Sequence, residues 1–370
     1  MHYDTIIIGA GTMGMAAGYF LAKQGKNVLL LDAFNPPHDQ GSHHGETRII
    51  RFAYGEGKAY VPLALRALDL WQELEKISGK QLFLKTGVLN IGSQDLSFIQ
   101  NVIESAKDFN LSVDVYSAQE VNKKWPGITL PEGFIGCFEP SAGVLRVEAC
   151  IDAYKTAALS EGATLKTNTR VVKIVPGEKV SVHTEEEVFI ADSIIISAGA
   201  RVNDILKSVD LTLPITPLRK TFAWFNADEA VYGSHFPAFT YEDENSSYYG
   251  FPSIDGAGFK VGRHDTGDEV SPDDVIREFD EADATELVQF NEKIMHQVGT
   301  LKYGKTCFYS KTPDEDFIID SHPFHDNIYI AAGFSGHGFK FGSVIGEILS
   351  QLVLNGKSEL DISLFKLMRF

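Results

Sequence analysis

Three glycines near the start of the chain have the spacing of a phosphate-binding turn. They stand in Gly9-Ala10-Gly11-Thr12-Met13-Gly14, after the apolar run 3–8 and before residues of helical character. Gly9 permits the tight turn, Gly11 lets the backbone approach a pyrophosphate, and Gly14 lets the helix pack closely on the strand. The free N–H groups at the start of the helix would then face the phosphates.

An acidic residue follows where a ribose would need one. Asp32 ends a second apolar run, residues 27–31, and comes 18 residues after Gly14. A carboxylate at this place accepts hydrogen bonds from a ribose diol and disfavours the 2′-phosphate of NADP. We therefore predict that this turn binds a dinucleotide, in preference to the alternative of a tight strand–helix turn that binds no ligand. The motif alone does not distinguish FAD from NAD.

Two arginines lie among apolar residues in the segment that follows. Arg48 and Arg51 alternate with the apolar residues 49, 50 and 52. A guanidinium beside apolar side chains needs an anion, and its planar fork suits a carboxylate. A pair of structural salt bridges is the equally weighted alternative on these residues alone.

A second glycine-rich turn, residues 333–338, precedes a C-terminal helix predicted over 339–354. Backbone N–H groups at such a helix start form a second anion site, suited to the flavin edge that gains negative charge on reduction. Lys340 in the first turn is unfavourable for the helix itself, so a negative partner is expected beside it. The alternative is a lysine that points to solvent.

Composition limits the function classes. The 370 residues include 33 Lys and Arg against 50 Asp and Glu, a formal net charge of −17, so we predict no nucleic-acid partner. The one membrane-like apolar stretch, residues 6–22, contains the glycine motif, so we predict no membrane span. Three cysteines without a CxxC pattern indicate a reduced, cytoplasmic protein. His43, His44 and Glu46 lack a further ligand at helical spacing, so no metal is predicted.

The elements that position these residues predict an α/β fold. Buried strands of dinucleotide-binding character are expected at the start, over 192–197 and over 327–332, whereas residues 222–261 are aromatic and β-like. The acidic residues 265–290 are predicted to be helical. We infer a nucleotide-binding domain built from separated segments, with a second, β-rich domain inserted between them.

Long segments of the chain resemble the monomeric sarcosine oxidase and N-methyltryptophan oxidase family of flavin-dependent amine oxidases. The segments occur in the family's order and span nearly the whole chain: IIIGAGTMGMAAGYFLAKQG, DAFNPPHDQGSHHGETRIIRFAYGEG, YVPLALRA, YYGFPS, KVGRH, TCFYSKTPDEDFIID and AAGFSGHGFKF. The resemblance implies an FAD-binding Rossmann-like domain of the glutathione-reductase type, comprising 1–82, 150–216 and 318–370. It also implies a second, mostly antiparallel β-sheet substrate domain, comprising 83–149 and 217–317.

The resemblance also implies which residues bind the cofactor, which bind the substrate and which take part in catalysis. FAD would be attached through a thioether to Cys307, the cysteine at the matching position. Arg51 and Lys340 would clamp the substrate carboxylate. Five residues are implied to be catalytic. Arg48 would lie against the flavin ring, and Lys260 would lie near N5, where oxygen is reduced. Tyr249, His264 and Tyr309 would line the substrate cavity. The implied cofactor contacts are Gly9, Gly11, Gly14, Asp32, His44, Gly336 and Gly338.

The implied reaction is oxidative demethylation of a secondary amino acid by a monomeric enzyme. A hydride equivalent passes from the N-methyl carbon to flavin N5, water hydrolyses the imine, and oxygen leaves as hydrogen peroxide. Arg263 departs from both branches of the family, and Tyr241, if it faces the cavity, favours a small substrate. We expect sarcosine, with N-methyltryptophan or pipecolate as the nearest alternatives. An NAD-dependent dehydrogenase and a non-catalytic flavin-binding protein are the distant ones.

Overall fold

The computed structural model describes residues 2–273 and 278–370. Its strands are β1 His2–Ile8, β2 Val28–Leu31, β3 Thr47–Ile50, β4 Phe83–Leu84, β5 Val88–Ser93, β6 Asp114–Ser117, β7 Phe134–Glu139, β8 Gly143–Arg146, β9 Thr164–Lys166, β10 Val171–Val175, β11 Val180–Thr184, β12 Val188–Ile196, β13 Thr216–Ala227, β14 Ala238–Glu242, β15 Ser247–Phe251, β16 Phe259–Arg263, β17 Asp268–Glu269, β18 Val298–Lys311, β19 Ile318–His322 and β20 His325–Ala332. Its α-helices are α1 Thr12–Lys23, α2 Val61–Ser78, α3 Ser97–Asp108, α4 Ala118–Lys124, α5 Val147–Ser160, α6 Val202–Leu206, α7 Glu229–Tyr232, α8 Glu281–Ile294 and α9 Gly342–Asn355.

The first sheet has eight strands and a parallel centre. Its main path runs β10-β11-β12-β1-β2-β9, and β20 joins β12 in parallel. Both faces of β1 are covered: Ile7 lies in one hydrophobic cluster, while Ile6 and Ile8 lie in the other. Burial on both faces explains why these strands are apolar throughout instead of alternating.

The second sheet has nine strands and is mostly antiparallel. Its path runs β17-β13-β16-β15-β14-β5-β7-β6, with β18 paired to β13 and a single parallel junction between β14 and β5. A small antiparallel sheet, β3-β8-β4, lies apart from it in the pairing scheme. The mixed α/β fold class with an antiparallel second sheet is confirmed.

The first sheet takes its strands from three separated stretches of chain, namely 2–31, 164–196 and 318–332. The second takes its strands from 88–139 and 216–311. The predicted domain boundaries follow the same alternation along the chain, and the boundaries themselves stay a prediction.

The helical prediction over 265–290 is wrong for residues 265–273 and 278–280 and is confirmed from Glu281 onward. Helix α8 begins only at Glu281, and the described residues before it contain the short strand β17 but no helix. Residues 274–277 lie outside the described part of the chain. Asp280 starts α8 with a capping box to Asp283, so the acidic residues mark the helix start and not its body. Within the described residues, no helix is long and apolar enough to cross a membrane.

Candidate active site

A long cavity begins at the glycine turn and runs toward the C-terminal glycines. Gly9, Gly11 and Asp32 line one end, and Gly336 and Gly338 line the other. The carboxyl ends of the parallel strands β1 and β2 therefore open into this cavity, which is where open α/β sheets bind ligands.

The glycine turn admits no side chains. Gly9 has φ +93°, and a Cβ there would approach Ser197 O to 2.5 Å. A Cβ at Gly14 would lie 2.0 Å from Gly9 O, which fixes the close packing of α1 on the strand. Helix α1 starts after Gly11 with no side-chain cap, so its first N–H groups are available to an anion. This cradle fits the pyrophosphate of FAD.

Asp32 holds the turn as well as lining the cavity. Its carboxylate accepts hydrogen bonds from the backbone N–H groups of Ala10 and Phe34, each at 2.8 Å. His38 Nε2 lies 3.4 Å from the same carboxylate. The neighbouring His43 lines the cavity with a buried Nε2 that has no partner, and burial lowers the pKa of His43 to about 3. An unpaired polar atom of this kind fits a bound polar cofactor.

A second cavity, of about 360 Å³, adjoins the first. Arg48, Tyr309, Gly336 and Phe339 line both cavities, so the two meet at these residues. Gly336 has φ +85°, and a Cβ there would press into the Tyr309 ring at 2.2 Å. A planar group at the junction would therefore have one edge in each cavity.

Arg51, just beyond the end of β3, is a buried cation of the second cavity. Its Nη2 donates to both oxygens of Glu56 at 2.6 Å, and its guanidinium lies 4.4 Å from the centre of the Tyr54 ring. Its Nη1 is buried and has no partner. Burial alone would raise the pKa of Glu56, but Arg51 lowers it to about 2. Arg51 thus keeps a donor free while its charge is partly balanced.

Lys340 is the second buried cation, carried by the short 3-10 segment Phe339–Phe341 that leads into α9. Its Nζ donates to Tyr54 Oη at 3.1 Å and to His337 O at 2.8 Å. Burial, and after it Arg51, lowers the pKa of Lys340 to about 7. An ammonium with two protein acceptors has a third proton for a ligand.

The predicted aromatic lining residues also lie together. Tyr249, His264 and Tyr309 all line the second cavity, and His264 Nδ1 is 3.3 Å from Tyr309 Oη. Burial lowers the pKa of His264 to about 4 and raises that of Tyr249 to about 12. Both side chains are therefore neutral at physiological pH.

Four predicted site residues are absent from both linings, namely Gly14, His44, Lys260 and Cys307. Cys307 on β18 packs with Phe222 and the neighbouring aromatic rings. Burial raises the pKa of its thiol, while Arg48, Lys220 and Lys260 oppose that shift. His44 lies against Phe222 with both ring nitrogens buried and unpartnered.

Tyr241 and Arg263 face away from the second cavity. Tyr241 packs in an aromatic cluster and donates to Asp243, while its neighbours Thr240 and Glu242 line the cavity. Arg263 pairs with Asp265 and Glu286 instead of lining the cavity. Tyr241 was expected to favour a small substrate only if it faced the cavity, and it does not.

Sequence reasoning missed four ionisable or polar groups at the site. They are Glu56, Lys220, Thr240 and Glu242. Burial, and after it Glu56, raises the pKa of Glu242 to about 7. Burial lowers the pKa of Lys220 to about 8, and its Nζ donates to His264 O at 3.2 Å. Among residues 2–273 and 278–370, no group of three or more His, Cys, Asp and Glu side chains is arranged to hold a metal.

Known proteins share both the sequence and the fold. Monomeric sarcosine oxidase from Bacillus sp. (strain B-0618) is 50% identical over 375 residues, covering 100% of this chain and 96% of that protein. N-methyl-L-tryptophan oxidase from Escherichia coli O81 (strain ED1a) is 43% identical over 376 residues, covering 100% of both. The structure of NikD, an unusual amino acid oxidase essential for nikkomycin biosynthesis, superposes with a TM-score of 0.88 at 21% identity, covering 99% of this chain and 97% of that chain.

A family model described as FAD dependent oxidoreductase matches residues 4–352. This match spans the glycine turn, both cavities and the glycines before α9. The chain therefore belongs to the FAD-dependent oxidoreductase family.

Proposed function

We propose that the protein oxidatively demethylates an N-methyl amino acid, with sarcosine as the preferred substrate. Sarcosine, oxygen and water would give glycine, formaldehyde and hydrogen peroxide. The observation that carries the proposal is the pair of buried cations, Arg51 and Lys340, in a cavity that joins the cofactor cavity. The names of the two relatives, which share nearly the whole length of the chain, support the same class of substrate.

The two cations would fix the substrate by its carboxylate. Arg51 Nη1 has no protein partner, and Lys340 has one proton beyond its two hydrogen bonds. Each charge-assisted hydrogen bond made here is worth roughly 1.5–3 kcal/mol. Two fixed donors would also restrict the orientation of the ligand relative to the junction of the cavities.

FAD, when bound, supplies the two-electron acceptor for the amine and passes the electrons on to oxygen. Gly9, Gly11 and Gly14 would hold its pyrophosphate, with Asp32 at the ribose. Gly336 and Gly338 would lie against the ring end, where Arg48 lines both cavities. His44, behind Phe222, would contribute to the same end.

The amine would react in its neutral form, after its proton has passed to solvent. His264 and Tyr249 are uncharged at neutral pH, and no proton-abstracting side chain is needed. Lys260 would supply a fixed positive charge to the oxygen reaction, where negative charge develops. The protein therefore contributes orientation and electrostatics.

The flavin would be covalently attached through Cys307. Arg48, Lys220 and Lys260 surround this buried thiol with positive charge, which favours the thiolate needed to form a thioether. In the Cys307→Ser variant, flavin should be released on acid denaturation, whereas the wild-type pellet should stay yellow. Flavin that remains in the variant pellet would move the attachment elsewhere. All three cysteines are unpaired and buried, which suits the proposed monomer in a reducing cytoplasm.

Anaerobic mixing tests the function directly. The yellow holoenzyme is mixed separately with sarcosine, N-methyltryptophan and pipecolate while the flavin absorbance is followed. Rapid bleaching by sarcosine alone is expected. Bleaching by a bulkier amine alone would keep the reaction and overturn the substrate, and no bleaching by any amine would overturn the enzymatic proposal in favour of flavin binding without catalysis. Colourless protein that reduces NAD would favour a dehydrogenase.

A further inference from the structure

The backbone between the first cavity and Lys260 makes an unusual turn at residues 45–47, here called the 45–47 turn. Gly45 has φ +90° and Glu46 has φ +70°, two consecutive left-handed residues. A side chain at Gly45 would come within 2.6 Å of the Phe222 ring, so only glycine fits there. A left-handed residue with a side chain, such as Glu46, costs roughly 1–2 kcal/mol. Other contacts must therefore hold the turn.

Glu148, in the first turn of α5, supplies those contacts on one side. Its Oε1 accepts from Gly45 N at 2.9 Å, and its two oxygens accept from Glu46 N at 3.1 and 3.3 Å. The preceding Val147 N donates to Glu46 O at 2.9 Å. The turn is thereby fastened to the start of α5, with its N–H groups directed at a carboxylate.

Lys260, on β16, occupies the other side of the turn. Its Nζ donates to Gly45 O at 2.6 Å, to Thr47 Oγ1 at 3.1 Å and to Thr47 O at 3.3 Å. The side chain is only 1% exposed, and the rings of Phe222, Trp224 and Phe251 lie within 5.0 Å of the ammonium. Two carbonyls and one hydroxyl can together accept all three protons of an ammonium.

The charges around this lysine come from both sides of the turn. Burial, and after it Arg48, hold the pKa of Lys260 well below its ordinary value, while Glu46, Glu148 and the Cys307 thiol oppose that shift. Glu46 is itself fixed, since Trp224 Nε1 donates to its Oε2 at 3.1 Å. Glu148 differs from Glu46 because it contributes charge and also holds the backbone that binds Lys260.

We propose that Glu148 is a positioning residue for the oxygen reaction: through the 45–47 turn it keeps the Lys260 side chain in place as an ammonium. The claim that Glu148 affects the oxygen reaction rests on the role proposed above for Lys260. The claim that Glu148 holds the Lys260 side chain in place is independent of that role. The conversion of Glu148 to a glutamine removes the charge and turns one hydrogen-bond acceptor into a donor that faces the N–H groups of the turn.

A double-mutant cycle on the holoenzyme tests the proposal. Glu148→Gln, Lys260→Met and the double variant are compared with the wild type, and Glu161→Gln, an exposed residue after the end of α5, is the matched control. Anaerobic reduction by sarcosine and reoxidation by oxygen are measured separately between about pH 6 and pH 9. The urea midpoint of unfolding is measured on the same proteins.

Glu148→Gln should slow reoxidation by about tenfold or more, because a loss of that size corresponds to one charge-assisted contact. The deficit should grow as the pH rises, because the lysine is deprotonated more easily. Flavin reduction should change much less, and Glu148→Asp, which keeps the charge, should retain the wild-type pH profile. In the Lys260→Met background, Glu148→Gln should have no further effect on reoxidation. Its shift of the urea midpoint should also be smaller there than in the wild type.

Additive effects on both reoxidation and the urea midpoint would overturn the proposal, as would a glutamine variant with the pH profile of the wild type. If Glu148→Gln fails to fold, the same comparison is made with Glu148→Asp, and an altered pH profile in that variant would also overturn it. If the midpoints are coupled while Lys260→Met impairs both half-reactions equally, the positioning of Lys260 is supported. In that case the proposed role of Lys260 in the oxygen reaction is rejected.

Discussion

Carboxylate binding in the second cavity should weaken as the pH rises through neutrality. Burial lowers the pKa of Lys340 to about 7, with Arg51 as the next contribution, while Glu56 opposes it. Above that pH the unliganded enzyme increasingly holds a neutral lysine. Binding a carboxylate then requires proton uptake, so the apparent Kd must rise with pH. A lysine of ordinary pKa would show no such dependence below about pH 9.

The magnitude follows from the fraction of Lys340 that is protonated. If the bound state keeps its proton, Kd increases by the factor 1 + 10^(pH − 7), which is about 1.1 at pH 6 and about 100 at pH 9. The expected weakening is therefore about 90-fold, or about 2.7 kcal/mol. Arg51 keeps its charge over this range and supplies the affinity that remains.

Methoxyacetate is a suitable probe because it has the size of sarcosine but an ether oxygen in place of the ionisable amine. The holoenzyme is titrated with it at several pH values, and binding is followed by the flavin absorbance. In Lys340→Met, binding should be weak at low pH and nearly independent of pH. Glu242→Gln is the needed control, because the pKa of that cavity carboxyl is also about 7.

A Kd that stays constant between about pH 6 and pH 9 would refute the reasoning, since it requires a lysine that does not titrate in that range. A pH dependence that persists in Lys340→Met but disappears in Glu242→Gln would assign it to the carboxylate instead. Either result would remove Lys340 as the titrating cation of the site.

Three further predictions concern the other parts of the site. Because the pKa of Glu56 is lowered from its ordinary value to about 2, it should stabilise the fold above about pH 4.5, and urea unfolding should show this stabilisation lost toward pH 2 in the wild type but not in Glu56→Gln. Thr240→Phe should slow flavin reduction by bulky amines more than by sarcosine, whereas Tyr241→Phe should change neither; equal effects of the two variants would contradict the assignment of strand faces. Gly14→Ala should lose FAD, measured by the ratio of flavin to protein absorbance, because its Cβ would lie 2.0 Å from Gly9 O; full flavin content would show that the turn can adjust.

The cofactor half of the site was predictable because its signals are local. The glycine spacing, the apolar strand before it and Asp32 after it lie within about thirty residues, which is one βαβ unit. The substrate half has no such local signal, since Arg51 and Lys340 are brought together by the fold. Their pairing came from the family resemblance, while the residues themselves offered two separate clues, Arg51 among apolar residues and Lys340 at a helix start.

One missed feature was readable from the sequence. Strand β14 alternates aromatic and polar residues, Phe239-Thr240-Tyr241-Glu242, and side chains of a strand alternate between its faces. The aromatic pair packs in the core, so the polar pair had to face something polar, which is the cavity. Lys220 offered no comparable clue, because one lysine in a β-strand is usually exposed. The helical prediction failed over residues 265–273 and 278–280 because charge indicates solvent exposure and not helical structure.

The distribution of charge connects the whole protein with its site. The chain has a formal net charge of −17, yet several basic side chains are gathered where the two cavities meet, among them Arg48, Arg51, Lys220, Lys260 and Lys340. At physiological ionic strength charges are screened beyond about 8 Å, so the acidic surface does not prevent a small anion from entering. Burying cations is costly unless anions compensate them. Glu56, Glu46 and Glu148 compensate part of this charge within the protein, and the remainder suits the proposed roles, binding of a substrate carboxylate and support of the negative charge that develops as oxygen is reduced.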